Sequence, residues 1–297
     1  MKKLFFLLMG CGLLFAAPSH AFAEVNIFAC EPEWGALAGE IGGDHVSVYT
    51  TSNARQNVHF LSARPSLLAA MRKADLVLCN GASLEIGWLP VLQQKAAGPD
   101  TVFIYAADQV EKLDVPTVVD RSMGDVHPDG NPHIHLDPRN IETVANVLAE
   151  KLAMVDEANA ATYRQNLAAF KQRWQMMTAE WQRQAAGLKG TDMVVYHTSW
   201  AYLFHWLGIN VVAALEPKPG IPPTASHLES VLQTVKGRKL KAIIVAPFEN
   251  EKAAQWLSSK TGIPVVHLPF TVGGNERADS LEHLFTETIR LLNGAGS

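Results

Sequence analysis

Apolar and polar positions alternate along this chain in two rhythms. Short apolar runs bounded by polar residues predict strands at Val25–Cys30, Val46–Tyr49, Leu76–Cys79 and Val102–Tyr105. Between them the spacing predicts helices over Trp34–Ile41, Pro65–Lys73 and Leu84–Gln94, the first stopped by Gly42 and Gly43. Strand, helix, strand at this interval implies a parallel sheet covered by helices. The second half repeats the rhythm. Strands are expected at Met193–Tyr196, Val211–Leu215, Ala242–Val245 and Val265–Leu268. Helices are expected at Ala201–Trp206, Ser226–Val235, Lys252–Lys260 and Leu281–Leu292.

The middle of the chain breaks this rhythm. Residues 120–140 are rich in Asp, Gly, Pro and His and read as a loop, after which Ile141–Met154 regains helical periodicity. A long helix then runs from about Glu157 to Leu188, where Tyr163, Leu167, Phe170, Trp174, Met177 and Trp181 form one apolar stripe. Its position between two α/β patterns makes it a rigid strut. The expected organisation is an α/β domain over 24–156, a linking helix over 157–189 and a second α/β domain over 190–297. In the second half, Pro217, Pro219, Pro222 and Pro223 stiffen the connection from Glu216 to Thr224.

The first 23 residues read as a signal peptide. Lys2 and Lys3 precede an apolar stretch from Leu4 to Pro18, and Ala21-Phe22-Ala23 offers small residues for a cut before Glu24. Cys11 after Leu8-Met9-Gly10 loosely resembles a lipoprotein signal, but the apolar region before it is very short. No later run reaches the roughly 18 apolar residues of a membrane span. A soluble periplasmic protein is expected. Cleavage leaves 274 residues, with 23 basic against 29 acidic side chains. That mild acidity argues against a nucleic-acid surface. Cys30 and Cys79 remain, each ending a predicted strand. An oxidising compartment would permit a disulfide between them, with two buried thiols as the alternative.

Of eleven histidines, three fall in loops that lead from strands toward helices: His59, His133 and His197. Strand ends are where open parallel sheets present ligands. Three imidazoles and a carboxylate are the ingredients of a zinc site. The wide separations exclude a local zinc-finger motif, so only the fold could assemble them. His45, His205, His227, His267 and His283 are expected to serve surface or hydrogen-bonding duties.

At Asn131-Pro132-His133-Ile134-His135-Leu136-Asp137-Pro138 the chain resembles periplasmic metal-binding subunits of ATP-driven zinc and manganese importers, the cluster A-I substrate-binding family. The family pattern is Asp-Pro-His-Val-Trp-Leu-Asp-Pro, which places a ligand on His133. The early loop histidine matches His59, and the histidine followed by Trp200, Tyr202 and Leu203 matches His197. The resemblance implies two parallel-sheet α/β domains joined by a long helix, with the metal in the cleft between them. It implies a zinc receptor rather than an enzyme, which delivers Zn²⁺ as cargo to a membrane permease. Relatives usually supply a further aspartate after the last strand. Here proline occupies the nearest spot, and Asp279, late in a glycine-containing loop, is the expected fourth ligand, with Glu276 as its competitor and N-capping as Asp279's ordinary role.

Three histidines favour zinc over manganese, which is better served by oxygen ligands. A manganese receptor or metal-dependent adhesin is the alternative, and a zinc hydrolase a more distant one, since no His-Glu-x-x-His helix is present. The stretch with Asp125, His127, Asp129 and His135 is short where many relatives carry a long histidine-rich loop. Two readings of it stand side by side, a segment that passes zinc inward or receives it from a periplasmic donor protein and a plain flexible loop, with His135 donating a supporting bond to the site. A monomer is expected.

Overall fold

The computed structural model describes residues 24–296, so the expected signal peptide lies outside the described residues. Two four-stranded parallel sheets form the two lobes. The first contains β1 (Val25–Ala29), β2 (Val46–Thr50), β3 (Leu76–Cys79) and β4 (Val102–Tyr105), in the order β2-β1-β3-β4. Helices α1 (Pro32–Gly42), α2 (Pro65–Met71) and α3 (Leu89–Ala96) connect them, and α4 (Pro138–Val155) follows. The second sheet contains β5 (Asp192–Val195), β6 (Asn210–Ala214), β7 (Leu240–Val245) and β8 (Val265–His267), in the equivalent order β6-β5-β7-β8. Its helices are α6 (Ala201–Leu207), α7 (Ala225–Val235), α8 (Lys252–Thr261) and α9 (Leu281–Gly294). Helix α5 (Ala160–Gln184) joins the lobes.

Strand parity decides which face each side chain covers, because successive residues point to opposite sides. Val25, Ile27, Ala29, Leu76 and Leu78 pack inward with α1 and α4, while Phe28, Cys30, Val77 and Cys79 pack outward against α2 and α3. The second sheet behaves alike: Met193, Val195, Ala242 and Ile244 face inward, and Val194, Ile243 and Val245 face outward under α7 and α8. The inward faces of both lobes belong to one apolar cluster, which Tyr163, Phe170, Trp174 and Trp181 of α5 enter together with Phe285 of α9.

The expected helical connector is present, with its ends tightened. The α-helical part is 25 residues, about 37 Å at the ordinary rise, flanked by 3₁₀ turns at Glu157–Asn159 and Ala186–Leu188. A larger departure occurs at the third helix, which begins at Leu89 rather than Leu84. Gly81, Ala82 and Ser83 all have left-handed φ values of 79°, 49° and 63°. The Glu85 carboxylate folds back to accept from the backbone of Asn80 and Gly81, at 2.6 and 3.1 Å. That local bonding competes with helix, and Pro90 then favours a start near Leu89. Glu31 accepts from the same Asn80 N–H at 3.2 Å. Burial pushes the Glu85 carboxyl up to about 7 and Glu31 well above its ordinary value.

Because Ala29 pairs with Leu78, the parallel register carries Cys30 beside Cys79 on the same face. They form a disulfide across the ends of β1 and β3, with Cα atoms 4.8 Å apart. It closes a loop spanning 49 positions, for which the chain-entropy account gives about 4 kcal/mol. Cys30→Ser with Cys79→Ser is expected to lower unfolding free energy by about 2–4 kcal/mol in denaturant melts. An unchanged midpoint would assign the stability of these strand ends to packing alone.

Candidate metal centre

In both sheets the strand order reverses beside the first strand, between β1 and β3 and between β5 and β7. Crevices at the carboxyl ends of strands around such reversals hold ligands in open α/β sheets. His197 directly follows Tyr196 at the end of β5, so its placement comes from the strand itself. His59 lies in a 3₁₀ turn (Val58–Phe60) whose N-cap, Asn57, accepts from the His59 N–H at 3.1 Å. The Trp88 indole donates to the Val58 carbonyl at 3.3 Å and pins the turn from beneath. His133 precedes another 3₁₀ turn, Ile134–Leu136.

Asn131 fixes His133 and ties the lobes together. Its Oδ1 accepts from the His133 N–H at 3.1 Å, while its Nδ2 donates to the Thr198 carbonyl at 3.0 Å, one residue beyond His197. Tyr202 of α6 donates to the Asn131 carbonyl at 2.9 Å. From the other side, Asn80 donates to the Pro132 carbonyl at 2.6 Å. The loop carrying one candidate ligand is thus braced against the segment that carries another.

The result is convergence. Ring centroids lie 5.4 Å apart for His59 and His133, 6.0 Å for His59 and His197, and 5.7 Å for His133 and His197. One nitrogen from each imidazole lies within 4.8 Å of the others. They line a cavity of about 200 Å³ together with Asp125, Glu216, Glu249 and Phe270. Residues 64 and more positions apart in sequence therefore share one chemical environment.

His133 is the informative member. It is 2% exposed, and both of its ring nitrogens are buried without a hydrogen-bond partner. Leaving such atoms unsatisfied costs roughly 1–3 kcal/mol each, so native proteins rarely do it without a functional reason. Burial, then the neighbouring imidazoles His59 and His197, holds its pKa well below the ordinary histidine value. The ring is therefore neutral and keeps a free lone pair, which is the form that binds a divalent cation. Phe270 stacks edge-on against it at 5.3 Å, and Trp200 and Phe248 back Phe270 in turn.

The other two imidazoles are oriented by carboxylates. His197 Nδ1 lies 2.7 Å from Glu216 Oε2, which also accepts from the Gly220 N–H at 3.0 Å. Such a bond fixes the tautomer, so Nε2 carries the lone pair. His59 Nδ1 lies 3.1 Å from Asp125 Oδ2 and 3.2 Å from His127 Nε2. Glu249 accepts from the Ala246 N–H at 2.7 Å, and burial pushes its carboxyl up to about 7.

Asp279 is not brought to the three histidines. Its side chain is 69% exposed and contacts His283 Nδ1 at 2.5 Å, one turn along α9. Ser280, not Asp279, caps that helix, its hydroxyl accepting from the His283 N–H. Glu276 is likewise exposed. The carboxylates facing the cavity are Asp125, Glu216 and Glu249. Only the region of the first drew attention from sequence. Glu216 was hidden at the head of a proline-rich connection, and Glu249 follows a strand end with no local motif.

His135 occupies a supporting position. Its Nε2 bonds the Phe270 carbonyl at 3.0 Å, and its Nδ1 lies 3.3 Å from Glu33 Oε1. Glu33 also accepts from the Thr271 hydroxyl. This buried set holds the ring of Phe270 against His133.

Comparison with known proteins gives a consistent result. The family model described as zinc-uptake complex component A, periplasmic, matches residues 27–295. The manganese ABC transporter substrate-binding lipoprotein scaA of Streptococcus gordonii is 21% identical, over 89% of this chain and 85% of that protein. The high-affinity zinc uptake system protein ZnuA of Haemophilus ducreyi is 25% identical, over 46% of this chain and 44% of its own. A crystal structure of ZnuA superposes with a TM-score of 0.78 at 24% identity, covering 92% of this chain and all of that one.

Proposed function

The chain belongs to the family of periplasmic zinc-uptake component A proteins, and from that premise we propose that it captures Zn²⁺ between its lobes and hands it on. The family binds and delivers metal for ATP-driven import and works with a membrane permease; it is not enzymatic. The particular reading is zinc, held by His59, His133 and His197, with a carboxylate completing the set. The observation that carries it is the buried, neutral, unpartnered His133 facing two carboxylate-oriented imidazoles. Zn²⁺ accepts nitrogen ligands at about 2.0–2.1 Å in a tetrahedral set, which a small shift of these loops would supply.

Manganese is the competing cargo, and the chemistry disfavours it. Hard cations prefer oxygen-rich sites, whereas this core is all imidazole. For the fourth position, Glu249 lines the cavity with one oxygen committed to Ala246. Asp279 would reach it only if the loop before α9 rearranged. Delivery from a periplasmic donor protein is compatible with the open cavity mouth beside Asp125 and Phe60.

The test is competitive titration of the purified protein with Zn²⁺ and Mn²⁺, repeated with Glu216→Gln, Glu249→Gln and Asp279→Ala. Zinc is expected to displace manganese. Glu216→Gln leaves every ligand in place but weakens the hold on His197, so zinc affinity should fall by about 10–100-fold. Of the other two, the true fourth ligand should produce the larger loss. Preferential manganese binding, or no response to Glu216→Gln, would overturn the reading.

A further inference from the structure

Resting on the histidine-site reading, we propose that Glu31 and Glu85 hold one proton between them, and that this bridged pair positions His133 through Asn80. Both carboxylates are buried, and both turn to a single donor, the Asn80 N–H, at 3.2 and 2.6 Å. The Gly81 N–H serves Glu85 as well, at 3.1 Å. Glu31 Oε1 is buried without any donor. Two negative charges around one shared N–H, with an oxygen left over, repel each other at close range. A proton held between the carboxyls removes one charge and supplies the missing donor.

Among the described residues, the ionisable groups that face the pair are acidic or phenolic. Glu85 and Glu33 act on Glu31, and Glu85 acts on Tyr105 of β4, which Asp108 also faces. Glu33 is itself turned to His135 and Thr271. Burial, then Glu85 and Glu33, holds the Glu31 carboxyl well above the ordinary range, and burial pushes Glu85 up to about 7. Groups in such contact titrate together, so the proton belongs to the pair and leaves it as pH rises past neutrality. Glu85 lines a cavity of about 200 Å³ with Ser83, Tyr105 and Asp108, which gives the proton a way out.

The path to the metal site is short. Asn80 is fully buried, and its Nδ2 donates at 2.6 Å to the carbonyl of Pro132, the residue before His133. The His133 ring nitrogens make no hydrogen bond, so the backbone and the packing of Phe270 aim the ring. On the strand side the frame is fixed. The Cys30–Cys79 disulfide immediately precedes Glu31 and Asn80, and the Thr51 and Ser52 hydroxyls donate to the Cys30 carbonyl at 2.7 and 2.8 Å. Ala82 and Ser83 hold left-handed φ, a costly conformation for residues with a side chain. The turn they form depends on the Glu85 bonds and yields first when the pair ionises, carrying Asn80 with it.

The experiment measures zinc affinity by chelator competition, from neutral to mildly alkaline pH, in the mature protein and in Glu85→Gln. The glutamine amide replaces the bridging proton with a permanent N–H. The unaltered protein should lose affinity as the pair ionises, on the order of tenfold, the effect of partners that orient a ligand. Glu85→Gln should hold its affinity across that range. Asn80→Ala cuts the link and leaves the pair, so its affinity at neutral pH should be lower by a similar factor and should no longer respond to alkali. Infrared spectra of the metal-free protein should show a protonated carboxylic acid that fades above neutrality and is missing in Glu85→Gln. Parallel zinc profiles in the unaltered protein and Glu85→Gln, or absence of the acid band, would overturn the proposal. Those two results decide it even if Asn80→Ala does not fold. Were manganese the preferred cargo, the zinc reading would fall, and the same profiles taken with Mn²⁺ would judge the proton pair.

Discussion

His133→Ala is expected to lose zinc affinity by more than the roughly 10–100-fold that supporting partners cost, while leaving the metal-free protein as stable as before or more so. The usual expectation for deleting a buried side chain is destabilisation by a cavity. Here the deletion also removes two buried nitrogens without partners, a standing cost of about 1–3 kcal/mol each. The two effects oppose each other in the empty protein, and only metal binding loses outright. Isothermal titration and thermal unfolding without metal give the two readouts. A variant that binds zinc normally, or unfolds much earlier when empty, would make His133 a structural residue.

Acid provides a second signature. The folded protein holds His133 neutral well below its ordinary pKa, whereas in the unfolded chain it takes a proton as pH falls through about 6.5. The unfolded state then binds more protons, so stability of the metal-free protein should decline on acidification below that point. His133→Ala removes this contribution and should flatten the decline.

The largest expected loss of stability follows Trp174→Ala. Trp174 is 1% exposed, stacks on Phe170 at 5.2 Å, and meets Trp181 and Phe285 edge-on at 5.2 and 5.6 Å. Its indole donates to the Pro138 carbonyl at 2.7 Å, at the start of α4. One side chain of α5 thus touches the first lobe through α4 and the second through α9. Large-to-small replacement of a buried tryptophan typically costs about 3–5 kcal/mol, and loss of the bond to Pro138 adds to it. Denaturant melts should show this loss, and zinc affinity should fall as the lobes lose their fixed spacing. A change under about 1 kcal/mol would mean that the ion triad of Arg173 with Glu40 and Glu282 is the main tie between lobes.

The fold was legible because parity and period are local properties. Leu76–Cys79 and Val102–Tyr105 read from the apolar pattern and are strands with those bounds. The start of α3 was not legible, since it depends on a carboxylate, Glu85, folding back onto Asn80 and Gly81. At the site, His59, His133 and His197 were recognisable by loop position and resemblance, and the structure brings them together. Asp279 was singled out by its place in a glycine-containing loop, yet a local pairing with His283 holds it at the surface. The bracing by Asn131 and Glu216 was invisible, because their bonds to Thr198 and His197 join segments that only the fold brings together.

The two sheets have equivalent strand orders, yet their inward faces merge into one apolar body. Two halves of like topology therefore depend on each other for a shared apolar interior. A hybrid receptor made by exchanging one half between distant relatives would inherit a mismatched seam, even with every metal ligand preserved.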